Sequence, residues 1–135
     1  MSDLSDLSDR DAGVRAAENF LKILQARDWQ ALEVLFAPDI TWTVPGSGPL
    51  SGTVRGTAAA VARARLIARR GVRTELLHLL TGRHGVALIL HNTATAPDGR
   101  VLDEHLAAVL TVRDGEITAI DSHLSDVDGK DRFFD

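Results

Sequence analysis

The chain predicts an α+β domain, with helices packed on one face of a curved, mainly antiparallel sheet, and three observations carry that expectation. Apolar residues recur at helical spacing in the first half of the chain, and four long alternating segments fill the second half. Between those segments stand "GRHG", "PDG" and "DG", each a turn signal. At 135 residues, 44% hydrophobic and 25% charged, the chain suits one globular domain with a real core.

The elements follow in order. Residues 1–7 repeat "SDL" and read as a disordered, solvated tail. Ser8 opens "SDRD", an N-cap pattern with Asp11 three residues on, and Val14, Ala17, Leu21 and Leu24 form one apolar helical stripe widened by Phe20 and Ile23. Asp28 caps a second helix through Trp29, Leu32, Leu35 and Phe36, which Pro38 stops. "DITWTVPG" alternates Ile40, Trp42 and Val44 against Thr41 and Thr43, as a half-buried strand does, and Pro45 ends it. The glycine-rich residues 46–56 read as a mobile loop, too poor in lysine to be a phosphate loop. Thr57 caps a third helix, whose Arg63, Arg65, Arg69 and Arg70 read as a solvated face and whose end Gly71 suits. "VRTELLHLLT", "VALILHNTAT", "VLDEHLAAVLTV" and "EITAIDSHLS" then form an antiparallel meander. The domain is expected over 8–127, with a C-terminal tail at 128–135.

Composition excludes several functions. A formal net charge of -4 offers no field for a phosphate backbone or an anionic membrane, so neither nucleic acid nor membrane is an expected partner. The absence of cysteine removes disulfides, thiolate metal sites and a thiol nucleophile. The acidic start lacks the apolar core of a signal peptide, and no apolar run reaches spanning length, so the expected location is the cytoplasm.

Strand register gives the candidate site. If Asp114-Gly115 is a two-residue turn, Ala108 opposes Asp121 and Leu106 opposes His123; if Asp98-Gly99 is another, His91 opposes Leu106 and Ile89 opposes Ala108. Taking "GRHG" as a loop sets His78 against Ile89 and Leu76 against His91. One face then carries His78, Ile89, His91, Leu106, Ala108, Asp121 and His123 beside plainly apolar residues, the profile of a cavity wall. A slip of one residue in any hairpin sends that strand's polar residues to the other face.

The element order resembles the nuclear transport factor 2 superfamily, and within it the SnoaL-like proteins. "VRDGEITAIDSHLSD" is similar to the family's closing hairpin and its final strand ending in an aspartate, here Asp126, and "FAPDITWTVPG" resembles its turn from second helix to first strand. The resemblance implies a cone-shaped fold, three N-terminal helices on a curved sheet enclosing a pocket, and a homodimer packed through the outer sheet face, where the register puts Ala107, Val109, Ile120 and Leu124. Ketosteroid isomerases of this fold need an aspartate before the strand-ending proline and a tyrosine; this chain has Val44 there and no tyrosine. The arginine-bridged aspartates of the fold's epoxide hydrolases find no arginine on the expected cavity face. SnoaL-like cyclases use an acidic residue on the closing strand with pocket histidines, which Asp121, His91 and His123 match.

Two readings of these residues stay open. As acid and base, Asp121, His91 and His123 would move a proton next to a carbonyl, in an aldol-type cyclisation, isomerisation or dehydration without an organic cofactor. The ligand would be a small apolar or aromatic carbonyl compound, bound among Trp42, His78, Ile89, Glu104, Leu106 and Ala108. As ordinary hydrogen-bonded polar groups, the same residues would belong to a ligand-binding or dimerisation module. The histidines and carboxylate form no compact metal-ligand motif, so no metal is expected.

Overall fold

The computed structural model describes residues 4–135, with side chains from Arg10 onward. Helices α1 (Leu4–Ala26) and α2 (Trp29–Leu35) lead into strand β1 (Phe36–Val44); strand β2 (Gly52–Arg55) and helix α3 (Thr57–Arg69) follow. The meander is β3 (Arg73–Thr81), β4 (Gly85–Thr95), β5 (Val101–Arg113) and β6 (Glu116–Leu124), and helix α4 (Val127–Phe134) closes the chain. The strands form one six-stranded sheet in the order β2-β1-β6-β5-β4-β3, antiparallel except where β1 runs parallel to β6.

The α+β architecture is the expected one, with a short β2 added inside the glycine-rich segment. Two expectations at the termini are corrected. α1 starts at Leu4, so the predicted tail is helical from there and Ser8 lies inside the helix; residues 1–3 lie outside the described residues. The predicted C-terminal tail is α4, capped by the Asp126 carboxylate accepting from the Gly129 N–H at 2.9 Å. Its Phe133 and Phe134 bury with Leu50, Ala96 and Leu102, and that apolar burial holds so short a helix in place.

The main core joins Ala16, Ala17 and Phe20 of α1 to Val86, Leu88 and Leu90 of β4, Ala108 and Leu110 of β5, and Ile117 and Ile120 of β6. Arg63 is no solvated residue: desolvated in the core, it donates to the carbonyls of Trp42 (2.7 Å), Gly52 (3.0 Å) and Ser51 (3.0 Å). These three bonds tie α3 to β1, β2 and the loop between them, and the burial lowers the guanidinium pKa.

Register departs from expectation at three places. Asp114 and Gly115, both at positive φ, make the expected turn, and Arg113 opposes Glu116. Beyond it a bulge intervenes: Val112 opposes Ile117 but Thr111 opposes Ala119, leaving Thr118 as the extra residue, its hydroxyl donating back to the Thr111 carbonyl. Asp98-Gly99 is not a two-residue turn; the loop is Ala96–Arg100, because Pro97 has no N–H for the ladder and Ala96 turns inward. A further bulge between Leu76 and His78 shifts β3, so Leu76 opposes Leu90 and Glu75 opposes His91.

Candidate functional site

These shifts decide which side chains meet the helices. On β4 the inner set is Val86, Leu88, Leu90 and Asn92; on β5 it is Leu102, Glu104, Leu106, Ala108 and Leu110. On β6 Ile117 faces inward before the bulge, and Ile120, Ser122 and Leu124 do so after it. The register expectation for Asp121, His123, His91, His78 and Ile89 is therefore corrected: all five lie on the outer face, each an odd number of positions from an inner residue of its strand. Ile120 and Leu124, expected outside, are inside.

The outer residues form their own polar surface. His91 Nε2 meets Asp103 Oδ1 at 2.6 Å and its Nδ1 lies 3.9 Å from Glu75 Oε2, while its ring stacks on His105 at 4.5 Å. His123 Nε2 is 3.5 Å from Asp121 Oδ2, with the side chains 67% and 59% exposed. Among the described residues, no group of three or more His, Cys, Asp or Glu is placed to hold a metal ion.

The inner face encloses a cavity of about 400 Å³, roofed by α1 and α3 and lined mainly by apolar side chains. Trp42, Glu104, Leu106 and Ala108 stand in its wall. Phe20 and Phe36 meet the Trp42 ring edge-on at 6.1 and 6.3 Å and fix its orientation, and its buried Nε1–H has no partner. Such a volume suits a ligand of small-molecule size.

Glu104 is the buried carboxyl of this wall, 5% exposed. A ladder across three strands positions it: Thr74 donates to Asn92 Oδ1 at 2.7 Å, which orients the amide so that Asn92 Nδ2 donates to Glu104 Oε2 at 3.4 Å. Glu104 Oε1 is buried without a partner. Burial pushes the pKa of this carboxyl up from the ordinary value of 4.5; the Asn92 bond and the Lys130 charge pull it back, and the Asp126 charge adds to the rise. A carboxyl so held gives up its proton less readily than a solvated one and, once ionised, is the stronger base.

Lys130 and Phe134 of α4 and Leu50 of the β1–β2 loop complete the cavity wall. The Lys130 ammonium, 1% exposed, donates to the Leu50 carbonyl (2.7 Å), Ser51 Oγ (2.7 Å) and Asp131 Oδ1 (2.6 Å). Asp131 also accepts from the backbone N–H groups of Ser47 and Gly48 and from both serine hydroxyls, and the Lys130 bond, with these donors, holds its pKa far below the usual carboxylate range. Gly46, at φ 123°, allows the loop to pass against this carboxylate, where a Cβ would collide with it. The glycine-rich segment is thus latched to α4.

Sequence reasoning missed Asn92, Thr74, Ser122 and Lys130. The signal for the first was present: in β4 the alternate set Val86, Leu88, Leu90 is bulkier than Ala87, Ile89, His91, and Asn92 continues it.

Comparison with known proteins places this geometry. Residues 17–120 match the model of the SnoaL-like domain. An uncharacterised protein of Mycobacterium tuberculosis is 30% identical over 110 residues, covering 79% of this chain and 84% of that protein. A protein from a soil-derived mobile gene cassette superposes with a TM-score of 0.86 at 24% identity, covering 94% of this chain and 99% of the other. An NTF2-like protein of Burkholderia xenovorans LB400 does so with a TM-score of 0.80 at 24% identity, covering 93% and 98%. At these identities the structural likeness concerns the fold.

Proposed function

Because the chain belongs to the SnoaL-like domain family, we propose that its inner cavity is an active site in which Glu104 moves a proton next to the carbonyl of a small apolar or aromatic molecule. The reaction class is isomerisation, aldol-type cyclisation or dehydration. One observation carries the reading: a buried carboxyl in an apolar wall, anchored through one oxygen and unpartnered at the other. Leaving a buried polar atom unsatisfied costs about 1–3 kcal/mol, which a group without a task does not justify.

In this reading Glu104, ionised, takes a proton from the carbon beside the substrate carbonyl, and the apolar wall keeps the carboxylate poorly solvated and basic. Negative charge then gathers on the carbonyl oxygen, for which the unpartnered Trp42 N–H is the available donor. Returning the proton to a different atom gives isomerisation; losing a neighbouring hydroxyl gives dehydration; attack of the enolate on a second carbonyl gives cyclisation. Asn92 and Thr74 act by orienting Glu104.

The test needs no knowledge of the natural substrate. Acetophenone in deuterated water exchanges its methyl protons when a base removes them, which NMR follows directly. The protein is expected to accelerate this exchange, and Glu104→Gln to lower the acceleration by about 10²- to 10⁴-fold. Acceleration equal in the variant and the parent chain would remove Glu104 from the chemistry; none at all would leave a ligand-binding module.

A further inference from the structure

We propose that a second, more polar cavity on the other side of Glu104 is the route by which protons pass between that carboxyl and bulk water, with Asp126 as the relaying carboxylate. The inference rests on the reading of Glu104 given above. The second cavity measures about 350 Å³ and lies between the first residues of β5 and α4. Glu104, Leu102 and Lys130 line both cavities, so Glu104 stands in the wall between them. The two spaces differ in character: the larger is walled mainly by apolar side chains, whereas the smaller sets Arg100, Asp103, Asp126 and Arg132 beside Val101 and Phe133.

Topology explains why the gap exists. β6 pairs with β5 only as far as Leu106↔Leu124, so residues 101–104 of β5 have no strand on that side. The chain leaves β6 through Ser125, whose N–H donates to the His105 carbonyl, and then turns into α4 at Asp126. A space of this volume has room for on the order of ten water molecules, and its charged side chains give them partners.

Of the other charged groups of this wall, Arg100, Asp103 and Lys130 are occupied, and Arg132, a permanent cation, carries no proton that it could exchange. Arg100 pairs with Asp98 at 2.8 Å and donates to the Arg132 carbonyl at 2.7 Å, Asp103 is bound to His91, and Lys130 is committed to Leu50, Ser51 and Asp131. Asp126 belongs to no ion pair among the described residues, and its charge is close enough to raise the pKa of Glu104. It is exposed to solvent at one side and lines the cavity at the other.

A substrate filling the apolar cavity seals Glu104 from water on that side, so solvent protons need a second approach. In the exchange reaction Glu104 takes a proton from the ketone, leaving an enolate and a neutral carboxyl. That proton passes through water in the second cavity to the Asp126 carboxylate and on to bulk. A deuteron returns by the same path to Glu104, which hands it to the enolate carbon, so that charge and atoms balance over the cycle.

Asp126→Asn tests this without removing the helix cap, since asparagine caps as well as aspartate. With acetophenone in deuterated water, D126N is expected to slow deuterium uptake by about 10²-fold, the low end of what a placed proton carrier contributes. Added formate, small enough to enter the second cavity, is expected to restore the rate in D126N in proportion to its concentration, and to leave the parent chain and Glu104→Gln unchanged. Uptake by D126N equal to that of the parent overturns the relay, and so does a loss that formate fails to restore. Failure of the underlying reading looks different: the parent chain itself then takes up no deuterium, and the relay falls with it.

Discussion

The two faces of the central sheet hold their carboxylates under opposite conditions. On the inner face Glu104 is buried, held through one oxygen and unpartnered at the other. On the outer face Asp121 is solvated and lies near His123, an exposed pair of a kind that contributes little. The outer face is richer in ionisable groups, with His91, His105 and His123 beside Glu75, Asp103 and Asp121. In the proposed reading, what distinguishes the site is the removal of a charge from water without a matching partner, rather than the density of titratable residues.

Exchanging one carboxylate on each face breaks or sharpens that contrast. Glu104→Gln is expected to lower acetophenone exchange by about 10²- to 10⁴-fold, while Asp121→Asn changes it by less than about 2-fold and leaves the melting temperature within a degree or so. A large loss in Asp121→Asn would return chemistry to the outer face.

The next largest effect is on stability. Arg63→Ala leaves the carbonyls of Trp42, Ser51 and Gly52 without their donor and is expected to cost about 3 kcal/mol, roughly 10 °C in Tm for a chain of this size. Arg65→Ala, which loses a contact over the Trp29 ring at 5.5 Å, should cost about 0.5 kcal/mol. Similar melting temperatures for the two variants would show that the three Arg63 bonds are not what ties α3 to β1, β2 and the loop between them.

Smaller effects depend on pH, with opposite signs. The folded-state pKa of Glu104 is raised, so the unfolded chain ionises first as pH rises past 4.5, and stability falls until the folded carboxyl ionises too. Glu104→Gln should therefore match the parent in acid and gain on it toward neutral pH. The Asp131 pKa is depressed below 3.8, so its contribution is complete above that value and fades as pH falls through the lower, folded-state pKa. Asp131→Asn is expected to lower Tm by a few degrees at neutral pH, with the gap closing in strong acid. Thermal melts across pH check both; a gap that does not change with pH would refute the assigned signs.

Most of the architecture was legible because it rests on local patterns: the stripe from Ala17 to Leu24, the cap at Asp28, the alternation around Trp42 and the turn at Asp114-Gly115. The faces of the strands were not, because face depends on counting every residue between a turn and the site. A clue stood in β6, where Ile117 and Ile120 both belong to the core at a spacing of three, which strict alternation cannot satisfy and a bulge can. Arg63 was hidden by its type, since an arginine in a helix of arginines reads as solvated. α4 was hidden by its polar start, although the adjacent Phe133 and Phe134 are poor material for a free end.

The bulge at Thr118 has a bearing on how such a protein can vary between generations. Substitutions at Asp121 or His123 alter the outer surface and leave the cavity untouched. Loss of the Thr118 codon removes the extra residue and brings Ile117 and Ile120 to a spacing of two, so strict alternation is restored with Ile120, Ser122 and Leu124 still inward and Asp121 and His123 still outward. A deletion at the bulge is therefore a hereditary change of length that leaves the cavity wall as it is.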